Sequence, residues 1–231
     1  MKKVIKYILN FLGFKITRIQ KTEHDEGFYS ELNKLNIVDI EKLTYFNSFI
    51  NGMISDYQAK IIFVLCYFQT IKGDVLEIGS FKGKSTSYIF RAVKETKNGS
   101  LHVIDNFKGI SGKEYLYGDF INEFLQNMKK IGNNKEINIL NGDSKKMLKK
   151  IKNDSLRFIY IDGDHSFEGI KRDLYGCLPK LKNGGIIVLD DYFDGFPDLV
   201  KSVNEIIGEL KNFSYLTFAH NLVIIKNTHN T

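Results

Sequence analysis

Five short apolar runs in this chain each stop at an acid. Asp74–Ile78 carries Glu77 and runs into Gly79, and Leu101–Asp105 ends in Asp105. Ile137–Leu140 leads to Asn141-Gly142-Asp143, Arg157–Ile161 meets Asp162, and Ile186–Leu189 meets Asp190 and Asp191. Helical stretches separate them: Lys84–Glu95, one closing near Ile131, and Phe167–Leu181. A further helix is read over Pro197–Lys211. Short apolar runs alternating with helices predict a parallel sheet covered on both faces. The last two runs, Ser214–Phe218 and Leu222–Ile225, lie too close for a crossover helix and should pair as a hairpin. The expected fold is α/β: a doubly wound, mostly parallel seven-stranded sheet with a terminal antiparallel hairpin. In such sheets ligands bind at the carboxyl ends of the strands. A row of acids along that edge repels itself unless it receives hydroxyl donors, cations or a metal.

The segment before the sheet is of another kind. Residues 1–70 read as mainly helical, with Ser55 as N-cap for a helix over Asp56–Ile71, and form a cap on the domain spanning 71–231. Lys2, Lys3, Lys6, Lys15, Arg18 and Lys21 account for the whole excess of 33 basic over 27 acidic residues. A neutral body with a basic leader is not a nucleic-acid-binding domain by charge. Val4, Ile5, Ile8, Leu9 and Leu12 share one helical face in that leader. Packing on the domain or on a second copy, giving a homo-oligomer, is one expectation, and peripheral contact with an anionic membrane is the other. Lys6 and Asn10 interrupt the leader's apolar run, so it is expected to be retained and not cleaved as a signal peptide. Cys66 and Cys177 stand far apart in apolar stretches and read as buried hydrophobes in a reducing, cytoplasmic compartment.

Between the first strand and its helix lies Glu77-Ile78-Gly79-Ser80-Phe81-Lys82-Gly83-Lys84-Ser85-Thr86. Gly-Lys-Ser after a strand is similar to a phosphate-binding Walker loop, which gives a Mg–nucleotide enzyme as a rival reading. That loop needs four residues between its glycine and Gly-Lys, whereas Gly79 and Gly83 enclose three. The dinucleotide fingerprint fails as well, because Phe81 stands where a glycine must let a pyrophosphate approach. What remains is bare backbone at Gly79 and Gly83, flanked by Glu77 and by the hydroxyls of Ser80, Ser85 and Thr86. That suits a ligand with an ammonium and a carboxylate, and Asp105 is placed to accept ribose hydroxyls.

On these residues the chain resembles the class I S-adenosylmethionine-dependent methyltransferases, over roughly Ile71–Asn227. Glu77 to Gly83 match that family's first motif, Asp105 its ribose-binding acid, Gly142-Asp143-Ser144 its adenine-side turn, and the final hairpin its antiparallel strands. The resemblance implies a Rossmann-like methyltransferase fold with the cofactor along Glu77–Thr86, Asp105, Asp143 and Ser144. Tyr160-Ile161-Asp162-Gly163-Asp164-His165 and Leu189-Asp190-Asp191-Tyr192 resemble the metal-dependent O-methyltransferases, and more closely the sugar-modifying macrocin O-methyltransferase group. That resemblance implies Asp162, Asp190 and Asp191 as Mg²⁺ ligands, with Asp164 an alternative to Asp162. The catechol-type enzymes have lysine three residues after the first ligand, where this chain has His165.

The chemistry follows from the residue types. Mg²⁺ takes oxygen ligands, and a hydroxyl bound to it becomes more acidic. A histidine titrates near neutrality, so His165 can take the proton as general base. The expected activity is O-methylation of a small molecule or sugar hydroxyl. A non-catalytic cofactor-binding or membrane-peripheral member of the fold is a second rival. Phe107, Tyr115 and Tyr117, in a loop spanning 106–119, are expected either to supply a substrate wall together with the leader or to serve only as loop packing.

Overall fold

The structure, a computed structural model, describes residues 44–45, 49–109, 118–132, 136–210, 213–219 and 222–227. Seven strands form one sheet: β1 (Asp74–Ile78), β2 (Leu101–Asp105), β3 (Ile137–Asn141), β4 (Leu156–Ile161), β5 (Leu181–Leu189), β6 (Phe213–Ala219) and β7 (Leu222–Asn227). Their order is β3-β2-β1-β4-β5-β7-β6. The first five are parallel, and β7 enters antiparallel between β5 and β6. This is the expected doubly wound arrangement, with its order reversing between β1 and β4.

Alternate residues of each strand feed two cores, as the pleat requires. Val75, Val103, Phe158, Tyr160 and Val188 face one core, shared with helices α1 (Asp56–Tyr67), α2 (Lys84–Thr96) and α3 (Ile121–Ile131). Leu76, Ile104, Ile159, Ile161 and Ile187 face the other, shared with α5 (Phe167–Cys177) and α6 (Pro197–Glu209), while α4 (Ser144–Met147) follows β3 as a single short turn. Burial on both faces explains why these strands read as continuous apolar runs.

Helix α1 packs its Ile61, Ile62, Phe63 and Val64 into the first core, so this part of the N-terminal segment belongs to the same body as the sheet. It starts as expected at Ser55, whose hydroxyl accepts from the Gln58 N–H while the Gln58 side chain accepts from the Ser55 N–H, a complete capping box. It ends earlier than expected, at Tyr67. There Arg157, fully buried on β4, donates Nη1 to the Cys66 carbonyl at 2.6 Å and to the Gln69 carbonyl at 3.4 Å. A guanidinium on the last carbonyls of a helix closes it and meets the negative end of its dipole. The basic leader lies outside the described residues. Among the described residues no helix is long and apolar enough to cross a membrane.

Two other boundaries move for local reasons. The expected helix over Phe167–Leu181 stops at Cys177 and gives way to a tight turn at Leu178–Lys180, where Pro179 has no N–H to continue it. Strand β5 begins at Leu181, well before Ile186, and loops through Gly184 and Gly185 before regaining its pairing with β4.

At the carboxyl edge the ladder continues one residue beyond the strands. Gly79 donates to the Ile104 carbonyl at 2.9 Å, Gly142 to Asp105 at 2.8 Å, Asp162 to Ile78 at 2.8 Å and Asp190 to Ile161 at 3.0 Å. The loops therefore leave from one line, with the acids along it.

Arg157 lies at the opposite, amino edge. Arg157→Met removes its bonds to Cys66, Gln69 and Asn98 and should lower the unfolding free energy by about 1–3 kcal/mol. Arg157→Lys should fail to restore it, because an ammonium lacks the planar fork that spans these carbonyls. Urea denaturation midpoints of the three proteins check both expectations.

Candidate active site

The loop after β1 is built around an anion that the chain itself supplies. Asp105 Oδ2 accepts from the Ser80 N–H at 2.6 Å, the Phe81 N–H at 2.8 Å and the Ser80 hydroxyl at 3.1 Å. Its Oδ1 accepts from the Phe107 N–H at 2.6 Å. Converging amides of this kind form a nest for a negative group, and here the carboxylate at the end of β2 fills it. Phe81 adopts a left-handed backbone, φ 48°, to make this turn. Asp105 was expected to receive ribose hydroxyls; its Oδ2 is fully engaged by the loop, and Oδ1 keeps room for one further donor.

Gly79 has φ 83°, and a Cβ there would lie 1.8 Å from the Asp162 carbonyl oxygen, so the loop crosses the end of β4 where only glycine fits. Gly83, with φ 90°, precedes α2 and closes the turn by donating to the Ser80 carbonyl at 2.7 Å. Ser85 and Thr86 point back beneath the loop. Ser85 donates its hydroxyl to Glu77 Oε1 at 2.5 Å. Glu77 is fully buried, and its Oε2, like the Thr86 hydroxyl, has no hydrogen-bond partner. Burial pushes Glu77 up to about 8 against the Ser85 hydrogen bond that lowers it, with Asp105 and Asp162 adding repulsion. Lys84, which a Walker loop would aim at phosphate, is paired with Asp56 at 2.8 Å. The loop's amides and its lysine are thus both committed elsewhere, which disfavours a phosphate ligand.

Along the same edge Asp162, His165 and Asp191 meet, each offering one ligand atom within 4.8 Å of the others. His165 Nε2 lies 3.4 Å from Asp162 Oδ1 and 3.7 Å from Asp191 Oδ2, yet it is buried with no hydrogen-bond partner. The His165 ring is held edge-on to Phe196, with centroids 4.7 Å apart. Burial pulls its pKa down, but Asp162, Asp191 and Asp190 outweigh that and hold it above the ordinary value. An orphaned imidazole nitrogen facing two carboxylates fits a site made for a divalent cation and a proton-bearing ligand.

Asp190, expected as a third ligand, is not one of the three. Its Oδ2 accepts from the Tyr160 hydroxyl at 2.5 Å, and its Oδ1 from Gln58 Nε2 at 3.1 Å and the Asp191 N–H at 2.7 Å. Burial and the neighbouring Asp162 raise it above the carboxylate range. Asp164, the alternative to Asp162, turns away: its Oδ1 accepts from the Ser166 N–H at 3.0 Å, and its Oδ2 lies 3.7 Å from Arg172.

At the third corner Asp143 is exposed at the end of β3. Ser144 is buried, and its hydroxyl donates to Asp173 on α5 at 2.6 Å. Phe107 is a correction: only 1% exposed, it packs against Phe124 in the first core and lines no substrate wall. Tyr115 and Tyr117 lie outside the described residues.

Sequence reasoning missed Gln58, Tyr160 and Asp173. Gln58 carried a signal, since Ser55-Asp56-Tyr57-Gln58 is a capping-box pattern. Tyr160 carried a weaker one, because a tyrosine inside a buried strand needs a partner for its hydroxyl.

A family model described as a methyltransferase domain matches residues 76–192, half of the chain. Solved structures share the fold. The O-methyltransferase NovP aligns with TM-score 0.63 at 21% identity, covering 74% of this chain and 80% of that one. An O-methyltransferase from Bacillus cereus in complex with SAH aligns with TM-score 0.62 at 16% identity, over 87% and 95%. TomG from Streptomyces achromogenes, an O-methyltransferase of tomaymycin synthesis in complex with SAM, aligns with TM-score 0.61 at 14% identity, over 99% and 96%. At such identities the likeness is one of fold. No curated protein sequence matches the chain.

Glu77 generates a pH test. Its folded-state pKa of about 8 lies far above the ordinary glutamate value, so the folded chain holds a proton that the unfolded chain releases. Between those values its contribution to stability falls as pH rises. Urea denaturation from pH 5 to 8.5 should show wild type losing stability relative to Glu77→Gln across that window, and a constant difference would refute the assignment.

Proposed function

This chain belongs to the methyltransferase-domain family, and on that premise we propose that it is an S-adenosylmethionine-dependent O-methyltransferase using a divalent cation, Mg²⁺, on a small-molecule or sugar hydroxyl. The observation that carries this reading is the meeting of Asp162, His165 and Asp191 at the same sheet edge as the glycine loop. The loop supplies backbone at Gly79 for the cofactor's amino-acid end, while Gly83 is buried and closes the turn. Glu77 is the buried carboxyl beneath it, Asp105 offers Oδ1 to the ribose, and Asp143 with Ser144 forms the adenine side. His165, in place of lysine after Asp162, favours the macrocin-like branch over catechol enzymes. The two buried free thiols, Cys66 and Cys177, suit a reducing, cytoplasmic setting.

Asp162 and Asp191 would hold the cation, with Asp190 behind them. A bound divalent cation stabilises the alkoxide form of a hydroxyl that ligates it. His165 Nε2, beside both carboxylates and facing the same space, takes the hydroxyl proton. S-adenosylmethionine, held along the glycine loop, would supply the sulfonium methyl to that oxygen, with sulfur leaving as a neutral thioether. The protein's main contribution is alignment of these groups.

Calorimetry should show S-adenosylmethionine binding at micromolar affinity and ATP not binding, each with and without Mg²⁺. Binding of Mg–ATP alone would overturn the proposal. His165→Ala should lower kcat by about 10²–10⁴-fold while S-adenosylmethionine affinity stays within threefold. In wild type, activity should rise with pH as the imidazole loses its proton. That acidic limb should vanish in the variant.

A further inference from the structure

Asp173 stands midway along α5 and is 1% exposed, where an unpaired carboxylate would be strongly disfavoured. Its Oδ1 accepts from the Ser144 hydroxyl at 2.6 Å and from Arg172 Nε at 3.1 Å. Ser144 is buried as well, and it follows Asp143 at the start of α4. Asp143 caps that short helix by backbone alone. Its carbonyl accepts from the Met147 N–H at 3.0 Å and the Lys146 N–H at 3.1 Å, while its exposed side chain makes no cap bond. Ser144 thus ties the turn after β3 to α5, and the Asp143 carboxylate is left uncommitted by its own helix.

The same buried acid also meets the loop after β4. A Cβ on Gly163 would lie 3.3 Å from Asp173 Oδ2, so the loop between Asp162 and His165 passes close by it. Arg172, whose Nε meets Asp173, brings its Nη2 to 3.7 Å from Asp164 Oδ2 in that loop. Asp173 therefore sits between the turn after β3 and the loop after β4, touching neither through its own backbone.

We propose that Asp173 is a positioning residue for the cofactor's adenine. Through the Ser144 hydroxyl it sets the Asp143–Ser144 turn, so that the Asp143 carboxylate meets the amino group of the purine. The inference rests on the adenine-side assignment of Asp143 and Ser144 above. An ionised carboxylate only accepts hydrogen bonds, and the donor on adenine's edge is its amino group. Hypoxanthine has a carbonyl at that position, so an acceptor would face an acceptor. A turn held in place discriminates between the two bases, and a turn released from α5 shifts and loses that preference.

S-adenosylhomocysteine and S-inosylhomocysteine serve as probes, with affinities measured by calorimetry on the full chain. Wild type should favour the adenine ligand by about tenfold or more, the scale of a matched polar contact against a mismatched one. Ser144→Ala and Asp173→Leu should each cut that preference by about threefold to tenfold, chiefly by weakening S-adenosylhomocysteine. The double variant should be no worse than the worse single, because both substitutions remove the same bond. Asp173→Asn, whose amide oxygen can still accept from the Ser144 hydroxyl, should keep the preference within about twofold of wild type. A residue that merely held the fold together would weaken both ligands alike and leave their ratio unchanged.

An unchanged ratio in Ser144→Ala, or in a folded Asp173→Leu, overturns the proposal. So does additivity in the double variant, or an Asp173→Asn that loses as much as Asp173→Leu, since charge and not the Ser144 bond would then matter. Should Asp173→Leu fail to fold, Ser144→Ala alone decides. Wild type binding both ligands equally would remove the adenine-side assignment beneath the inference. Wild type binding neither would sink the cofactor reading itself.

Discussion

The carboxylate of Asp105 sits where three things meet: the end of β2, the glycine loop after β1, and the start of the next loop at Phe107. A carboxylate accepting several backbone N–H bonds is among the stronger polar contacts a protein makes. It replaces the external anion that such a loop would otherwise attract. The loop is thereby organised around the chain's own acid instead of as a phosphate cradle. One acid at a strand end thus separates this site from the nucleotide-binding loops that it superficially resembles.

The rest of the site depends on the sheet carrying that acid. Parallel strands in order β3-β2-β1-β4-β5 bring their carboxyl ends to one line, and the extra ladder bonds at Gly79, Gly142, Asp162 and Asp190 carry the alignment one residue into the loops. Gly79 lies against the Asp162 carbonyl, so the glycine loop and the first residue of the acid cluster touch through backbone. The glycine loop and the acid cluster are therefore set relative to each other by the sheet edge, an alignment of the kind that in-line methyl transfer requires.

Much of this was legible in the chain. Apolar runs buried on both faces are visible without a structure, and so are the acids closing them, the three-residue gap between Gly79 and Gly83, and the serine that caps α1. Boundaries failed where a single contact or residue intervened: Arg157 closing α1 on the Cys66 carbonyl, and Pro179 ending α5. Phe107 stands in a loop in the sequence and proved to be core, its ring against Phe124 and only 1% exposed.

The sequence by itself determined the sheet, the edge where chemistry gathers and the residue types present there, because these depend on periodicity and on which side chains can be buried. Tertiary structure alone decided what each acid does. Asp190 and Asp191 are indistinguishable in the sequence, yet one faces His165 and the other faces Tyr160 and Gln58. That division comes from a single left-handed residue and from a donor on α1 distant in the chain, and no local pattern encodes a contact of that range.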